Sequence, residues 1–320
     1  VDARMRLWAN VVPRRSSHHP LVHRLLAAGR AVRRGARGVR YAWEWERLTR
    51  HLIRSRPDVV QFGVVRFGFV RHFLRRMHRA GLVLTQVCHE FTERDRPPGR
   101  ADPPTTYDPF AAIFLHGAAN RSAFLERFDV PEHRCISIPH GNEALLAAVG
   151  EGGDLRDHYG IPPGRPVALF FGGLRPSKGL DDLIDAFAMV LQELPATLVI
   201  AGAPQGVDGI ALTGRARRLG IDGNVIVDAR YLPLEEVGPV LRTADVVVLP
   251  YRTASASGAL QAAYAFGRPV IGTDAGALPE AIDPGVTGLV VPVRRPDLLA
   301  RAVVKLLSDP AEARRMGTAA

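Results

Sequence analysis

Apolar residues follow two rhythms along this chain. Short unbroken runs, such as Val167 to Phe171 and Leu198 to Ala201, alternate with stretches in which they recur every three or four positions, as at Leu180, Leu183, Ile184, Phe187 and Leu191. An unbroken run suits a strand covered on both faces, and the wider spacing marks one face of a helix. The pattern predicts strand 167–171, helix 179–193, strand 197–202, helix 208–219, strand 224–228, helix 234–242, strand 245–249, helix 258–266, strand 269–273, strand 287–291 and helix 296–308. Such strand–helix repetition is the mark of an α/β domain, with a parallel sheet and right-handed crossovers.

The first part of the chain alternates less cleanly. Asp58 to Phe62 reads as a buried strand. A helix follows, with Phe67, Val70, Phe73, Leu74 and Met77 on one face and Arg71, Arg75 and Arg79 on another. That arginine stripe is either a wet face or a face for anionic lipid. Leu82 to Val87, Ala112 to Leu115 and Cys135 to Pro139 read as strands, and Arg121 to Phe128 as a helix. The first of these strands runs into Cys88-His89-Glu90, the second into His116-Gly117 and the third into His140-Gly141-Asn142. Ligands of open α/β sheets sit at strand carboxyl ends, so three histidines are expected on one rim. They are expected to line a cleft rather than chelate a metal, because no pair has helical spacing and no carboxylate trio accompanies them. The polar stretch 92–106 reads as a loop. Upstream, Pro20 to Leu26 and Tyr41 to Ile53 look helical, and the run Arg30, Arg33, Arg34, Arg37 and Arg40 between them reads as a solvated loop, or one facing a membrane or acceptor. Glycines and prolines over 148–165 mark a boundary, giving expected domains 1–150 and 151–320.

At 320 residues and 47% apolar, the chain can build two cores. No apolar run reaches the roughly 20 residues of a membrane span. Two cysteines without metal-ligand spacing suggest a reducing, cytoplasmic setting. The chain begins with Val1 and an arginine-rich stretch lacking a signal-peptide core, so it is expected to be part of a longer protein. Charge is unevenly shared: residues 1–150 carry 25 arginines against 13 acidic residues, and 151–320 carry 17 basic against 19 acidic. The basic part favours an anionic partner, a headgroup surface or a phosphate-bearing substrate. Nucleic acid is disfavoured, since aromatics are sparse among the arginines and no recognition module is present.

The candidate chemistry centres on two strand ends. After Phe171 come Gly172-Gly173-Leu174-Arg175-Pro176-Ser177-Lys178-Gly179 and then a helix. A glycine turn before a helix lets backbone N–H groups face an anion, and Arg175 and Lys178 add two full charges. After Leu249-Pro250-Tyr251-Arg252 come Ala254-Ser255-Ala256-Ser257-Gly258, hydroxyl residues that can cap a helix and leave N–H groups for phosphate.

These pieces are similar to the C-terminal half of family 4 retaining glycosyltransferases of the GT-B fold (glycosyl transferases group 1). The resemblance rests on Phe170-Phe171-Gly172 with Arg175 and Lys178-Gly179, Ala244 to Pro250, Ser257-Gly258, Gly267-Arg268-Pro269-Val270, Pro279-Glu280 and Gly288-Leu289-Val290. It implies two Rossmann-like domains with parallel sheets facing across a cleft, and apparent truncation at both ends. It also implies transfer of a sugar from a nucleotide-diphosphate sugar to a lipid-linked or cell-surface glycan acceptor, without metal or resident cofactor, at the inner membrane face. Arg175 and Lys178 would stabilise the leaving diphosphate, and His89 would face sugar or acceptor. The donor-binding candidates are Gly172, Gly173, Arg230, Tyr231, Ser255, Ser257, Gly258 and Gln261. The family usually carries two glutamates eight positions apart; here they fall on Ala254 and Ala262, with Gln261 one position away as a ribose partner. A catalytically silent nucleotide-sugar or glycan binder is therefore the alternative. An epimerase on this scaffold would need positioned acid and base carboxylates, for which the chain offers few candidates.

Overall fold

The computed structural model describes residues 20–63, 65, 68–89, 91, 104–141, 147 and 152–320, with the backbone alone over 20–37. The expectations resting on Phe67, Glu90, 92–103, Asn142 and 148–151 lie outside these residues. The chain divides into two compact units, one made of 1–60 with 65–83 and the other of 61–64 with 84–320.

In the first unit, helix α1 (Pro20–Ser55) packs with helix α2 (Val70–Arg79). The two helices expected before residue 55 are one, and the Arg30–Arg40 run expected as a loop is helical. Its glycines cost about 1 kcal/mol each relative to alanine, but alanine, leucine and arginine are strong helix formers and outnumber them. Trp45 stacks on Phe73 at 6.2 Å between ring centroids, and Tyr41 meets Phe69 edge-on at 5.7 Å. Glu46 binds both Arg76 and, one turn along its own helix, Arg50; the Arg76 hydrogen bond above all holds its carboxyl below the usual range. On α2, Val70, Phe73, Leu74 and Met77 are buried, as the spacing predicts, while Arg79 is exposed and Arg71 and Arg75 are half-buried.

The first sheet has the order β1 (Val60–Phe62), β2 (Leu84–Cys88), β3 (Ala112–His116), β4 (Cys135–Ile138). The pairs β2–β3 and β3–β4 are parallel. The expected buried strand at Asp58 shrinks to three residues whose Gln61 is exposed, and Val59 before it is 54% exposed, because β1 is an edge strand with one open side. Helix α3 (Ala118–Arg127) follows β3 directly. A cluster of Phe91, Tyr107, Phe124 and Phe128, with centroids 4.6–6.4 Å apart, fills the core below it.

The second sheet follows the expected alternation closely: β5 (Val167–Phe171), α4 (Leu180–Glu193), β6 (Thr197–Ala201), α5 (Gly209–Arg218), β7 (Val225–Asp228), α6 (Leu234–Thr243), β8 (Val246–Leu249), α7 (Gly258–Ala265), β9 (Val270–Thr273), β10 (Gly288–Val291) and α8 (Pro296–Ser308). All six strands are parallel, in the order β10-β9-β8-β5-β6-β7. Every residue of β6 and β8 is buried, which is why their sequences are unbroken apolar runs. Helices α4 and α8 lie against each other on one face, with Phe187, Val303 and Leu306 fully or almost fully buried. Burial of each such side chain stabilises the fold by about 1.5–3 kcal/mol. A further helix, α9 (Pro310–Ala319), is absent from the sequence reading; Asp309 caps it by accepting from the backbone N–H of Ala311 and Glu312, and Pro310 suits its first turn.

Candidate active site

The strand order places a switch point between β5 and β8. From β5 the chain moves outward to β6 and β7, and from β8 it moves the other way to β9 and β10. Two loops diverge at the carboxyl ends of β5 and β8 and leave a crevice, the usual ligand position of open α/β sheets. These are the loops carrying the glycine turn and the Ser255–Ser257 segment.

Sterics fix the first loop. Gly172 has φ 136° and its N–H bonds to the carbonyl of Ala201. Pro176–Lys178 makes one turn of 3-10 helix and ends at Gly179, whose φ of 64° is left-handed. A Cβ at Gly179 would lie 2.1 Å from the carbonyl oxygen of Pro250, so the two loops touch backbone to backbone here. Arg252 locks the same junction: its N–H bonds to the Ser177 carbonyl at 2.9 Å, and its guanidinium grips Asp181 and Asp182 in the first turn of α4 at 2.7–2.9 Å.

This closeness seats the Lys178 ammonium over the face of Tyr251, 3.4 Å from the ring centroid. A desolvated cation–π contact of this kind is worth about 2 kcal/mol. Tyr251 is 1% exposed, and burial pushes its phenol up to about 12. Its hydroxyl reaches the Ser257 Oγ at 3.2 Å, and that oxygen caps α7 by accepting from the N–H of Leu260. The candidates Lys178 and Ser257 are thus joined through Tyr251, to which the sequence reading gave no role. The Arg175 Nε donates to the Oε1 of Gln205, in the loop after β6, at 2.5 Å.

Beside this hook lies a cavity of about 220 Å3, lined among others by His116, His140, Ser255, Ser257, Gln261 and Glu280. Two of the three strand-end histidines, His116 and His140, line it, and His89 packs against His116. His116 Nε2 and His89 Nδ1 are 3.1 Å apart, and the His116 ring lies between those of His89 and His140 at centroid distances of 4.9 and 4.8 Å. Burial first, and then the neighbouring His140 and His89, hold the His116 pKa below its usual value, so it is neutral at pH 7. Among the described residues no group of three histidine, cysteine or acidic side chains is arranged to hold a metal ion.

The cavity is closed by residues far apart in sequence. Glu280, after β9, offers its carboxylate to the start of α3: Oε2 accepts from the N–H of Ala118 at 2.7 Å and Oε1 from that of Ala119 at 2.6 Å. Asn120 on the same helix donates to the carbonyls of both His116 and Ser255. Neither role is visible in the sequence, since Glu280 lies more than 160 residues from its partners. The nearest signal is Gly117 (φ 86°) at the end of β3, where a Cβ would meet the Glu280 Oε2 at 2.7 Å.

Of the donor candidates, Ser255, Ser257 and Gln261 line the cavity and Gly258 opens α7. Gly172 and Gly173 form the crevice turn, with Gly173 packed against Gln205. Arg230 and Tyr231 follow β7; Arg230 is paired with Asp228 and Glu236, and Tyr231 is 79% exposed. Neither lines the cavity. Ala254 and Ala262, the positions of the absent glutamates, are 3% and 2% exposed.

Chemically, the arrangement is a lysine ammonium and a glycine turn beside a pocket of imidazole, hydroxyl, amide and carboxylate groups. It is suited to an oxyanion joined to a polyhydroxylated body. Residues 165–309 match the family described as Glycosyl transferases group 1. The chain is 36% identical over 168 residues to a D-inositol 3-phosphate glycosyltransferase of Corynebacterium efficiens, covering 51% of this chain and 39% of that one. It is 30% identical over 224 residues to the one of Streptomyces griseus, covering 67% and 45%. The chain thus spans less than half the length of these relatives. Among solved structures it resembles sucrose-phosphate synthase from Thermosynechococcus elongatus (TM-score 0.69, 20% identity, 86% of this chain and 70% of that one). It also resembles Anabaena HepE in complex with UDP (TM-score 0.68, 16% identity, 86% and 75%). The fold is GT-B, an α/β architecture with two parallel sheets, as the resemblance implied.

Proposed function

We propose that this protein is a metal-independent glycosyltransferase that moves a hexose from a nucleotide-diphosphate sugar to a hydroxyl acceptor with retention of anomeric configuration. The observation that carries this reading is the Lys178 ammonium fixed over Tyr251 at the switch-point turn, next to a cavity lined by Ser255, Ser257 and Gln261. In the step, the bond between the anomeric carbon and the β-phosphate oxygen breaks and the acceptor oxygen bonds the same carbon on the same face. The acceptor proton passes to the departing phosphate oxygen. Charge grows on the diphosphate as the bond breaks, and Lys178 and Arg175 would stabilise it. Gln261 supplies an amide for ribose hydroxyls, and His89 and His116 would face the sugar or acceptor as hydrogen-bonding groups. The names of the relatives and the nucleotide in the HepE complex support a donor of this class. A lipid-linked or cell-surface glycan precursor is the acceptor we favour. The basic residues of the first part of the chain support an anionic membrane face, and among the described residues no helix is long and apolar enough to cross one.

Transfer of radiolabelled sugar by the full-length protein tests the reading. Lys178→Ala should lower turnover about 100-fold or more, as loss of a transition-state donor does; unchanged turnover refutes the role of this lysine. A second reading, a silent nucleotide-sugar binder, is favoured by the buried alanines at 254 and 262. Calorimetric binding of nucleoside diphosphates with no turnover across a donor panel would establish it instead.

A further inference from the structure

A second cavity, of about 200 Å3, lies at the opposite edge of the six-stranded sheet. Pro166, Asp245 and Pro269 line it, each the residue just before β5, β8 or β9. It therefore opens at the amino ends of the three strands whose carboxyl ends border the crevice. Four arginines converge on it, Arg156, Arg165, Arg268 and Arg314, against one lining carboxylate, Asp245.

That carboxylate is already committed. Its Oδ2 accepts from Arg156 Nη2 at 2.9 Å and from the N–H of Val167 at 2.8 Å. The other nearby acid, Asp154, stands 3.9 Å from Arg156 Nε and accepts from that residue's N–H. Among the described residues, Arg165, Arg268 and Arg314 have no carboxylate partner. Arg268 Nε is buried without any acceptor. Burial, together with repulsion from Arg156 and Arg242, pulls its guanidinium below its usual pKa despite Asp245. A half-buried guanidinium whose neighbouring carboxylate is already shared with Arg156 is incompletely compensated, and an oxyanion with several acceptor oxygens would complete it.

We propose that this cavity binds a phosphate-class oxyanion, with Arg268 as the half-buried donor and Arg165 and Arg314 closing over it from the rim. The volume holds one or two phosphate groups, and it lacks the hydroxyl and amide lining of the crevice. The site is independent of the proposed sugar transfer: it lies at the amino ends of the strands and uses none of the same residues.

The test is calorimetric titration of the full-length protein with inorganic phosphate and with pyrophosphate, in chloride buffer of constant ionic strength. Because the crevice turn can also take phosphate, the titration is done in wild type and in Lys178→Ala. The expected result is one ion bound per chain in Lys178→Ala, with affinity reduced ten-fold or more when Arg165→Gln and Arg314→Gln are added. Both arginines are at the rim, so thermal melting should be unchanged by their substitution. In parallel, sedimentation with phosphatidylcholine vesicles, with and without a phosphoinositide, separates the sources. Binding of free ion alone assigns a soluble phosphate, and loss of phosphoinositide-vesicle binding in Arg165→Gln/Arg314→Gln assigns a lipid headgroup; either result supports the site. Phosphate binding that vanishes with Lys178→Ala alone, or that is indifferent to Arg165→Gln/Arg314→Gln, overturns it.

Discussion

Glu280 offers the sharpest test of how the cavity is closed. Its two carboxylate oxygens satisfy the N–H groups of Ala118 and Ala119, which no intrahelical carbonyl can reach. A side-chain cap is worth about 0.5–2 kcal/mol, and a negative charge at a helix start adds about 0.3–1 kcal/mol, less where water screens it. Glu280 is exposed, so the charge contribution is discounted and Glu280→Ala should cost about 1–2 kcal/mol of local stability. Read by amide hydrogen exchange, that is a loss of about 5- to 30-fold in protection at Ala118 and Ala119. Glu280→Gln retains one acceptor but turns an NH2 toward the second donor, and should recover no more than half. Gly117→Ala adds a distinct signature. It incurs a left-handed backbone penalty of about 1–2 kcal/mol, and its methyl would also press on the Glu280 oxygen at 2.7 Å. With Glu280→Ala in the background only the backbone penalty remains, so the two changes should combine to less than their sum. Unaltered exchange at Ala118 and Ala119 in Glu280→Ala, or strict additivity with Gly117→Ala, would refute the latch.

Two further outcomes follow from burial. The depressed pKa of His116 means that the unfolded chain takes up a proton below about pH 6.5 that the folded chain refuses, so stability falls as pH drops through that value and levels off below the folded pKa. Denaturant midpoints near neutrality and about 2 pH units lower should converge in His116→Gln, and an equal acid loss in wild type and variant would contradict this. Ala262→Glu, which restores the carboxylate usual in the family, should destabilise by about 3–5 kcal/mol because the site is 2% exposed; normal melting with tighter nucleotide binding would show that the helix register offers that side chain to the ligand after all.

Sequence and structure agree best where burial is two-sided. In the second sheet the strands are largely apolar runs, unbroken in β5 and β8, and the helices alternate with them, so β5 to β10 and α4 to α8 are legible to within a residue or two. The three histidines were legible as strand ends, because a rim position is a local property; their stacking was not. The long helix α1 was missed at Arg30–Arg40 because glycine and dense charge imitate a loop when propensity is weighed residue by residue. Helix α9 escaped because its start signal, Asp309-Pro310, follows α8 without a break. Glu280, Asn120 and Tyr251 were illegible as functional groups for a different reason. A carboxylate that caps a helix formed 160 residues earlier has no sequence neighbour to betray it, and a tyrosine inside an apolar run looks like core.

The contact at Gly179 has a wider consequence. With the Pro250 carbonyl where a methyl would have to go, this position admits hydrogen and nothing larger unless both loops are rebuilt. Drift through alanine or serine is closed to it. Any protein built on this plan that carries a side chain here must hold its ammonium group in another place, and cannot inherit the hook by descent of a single residue.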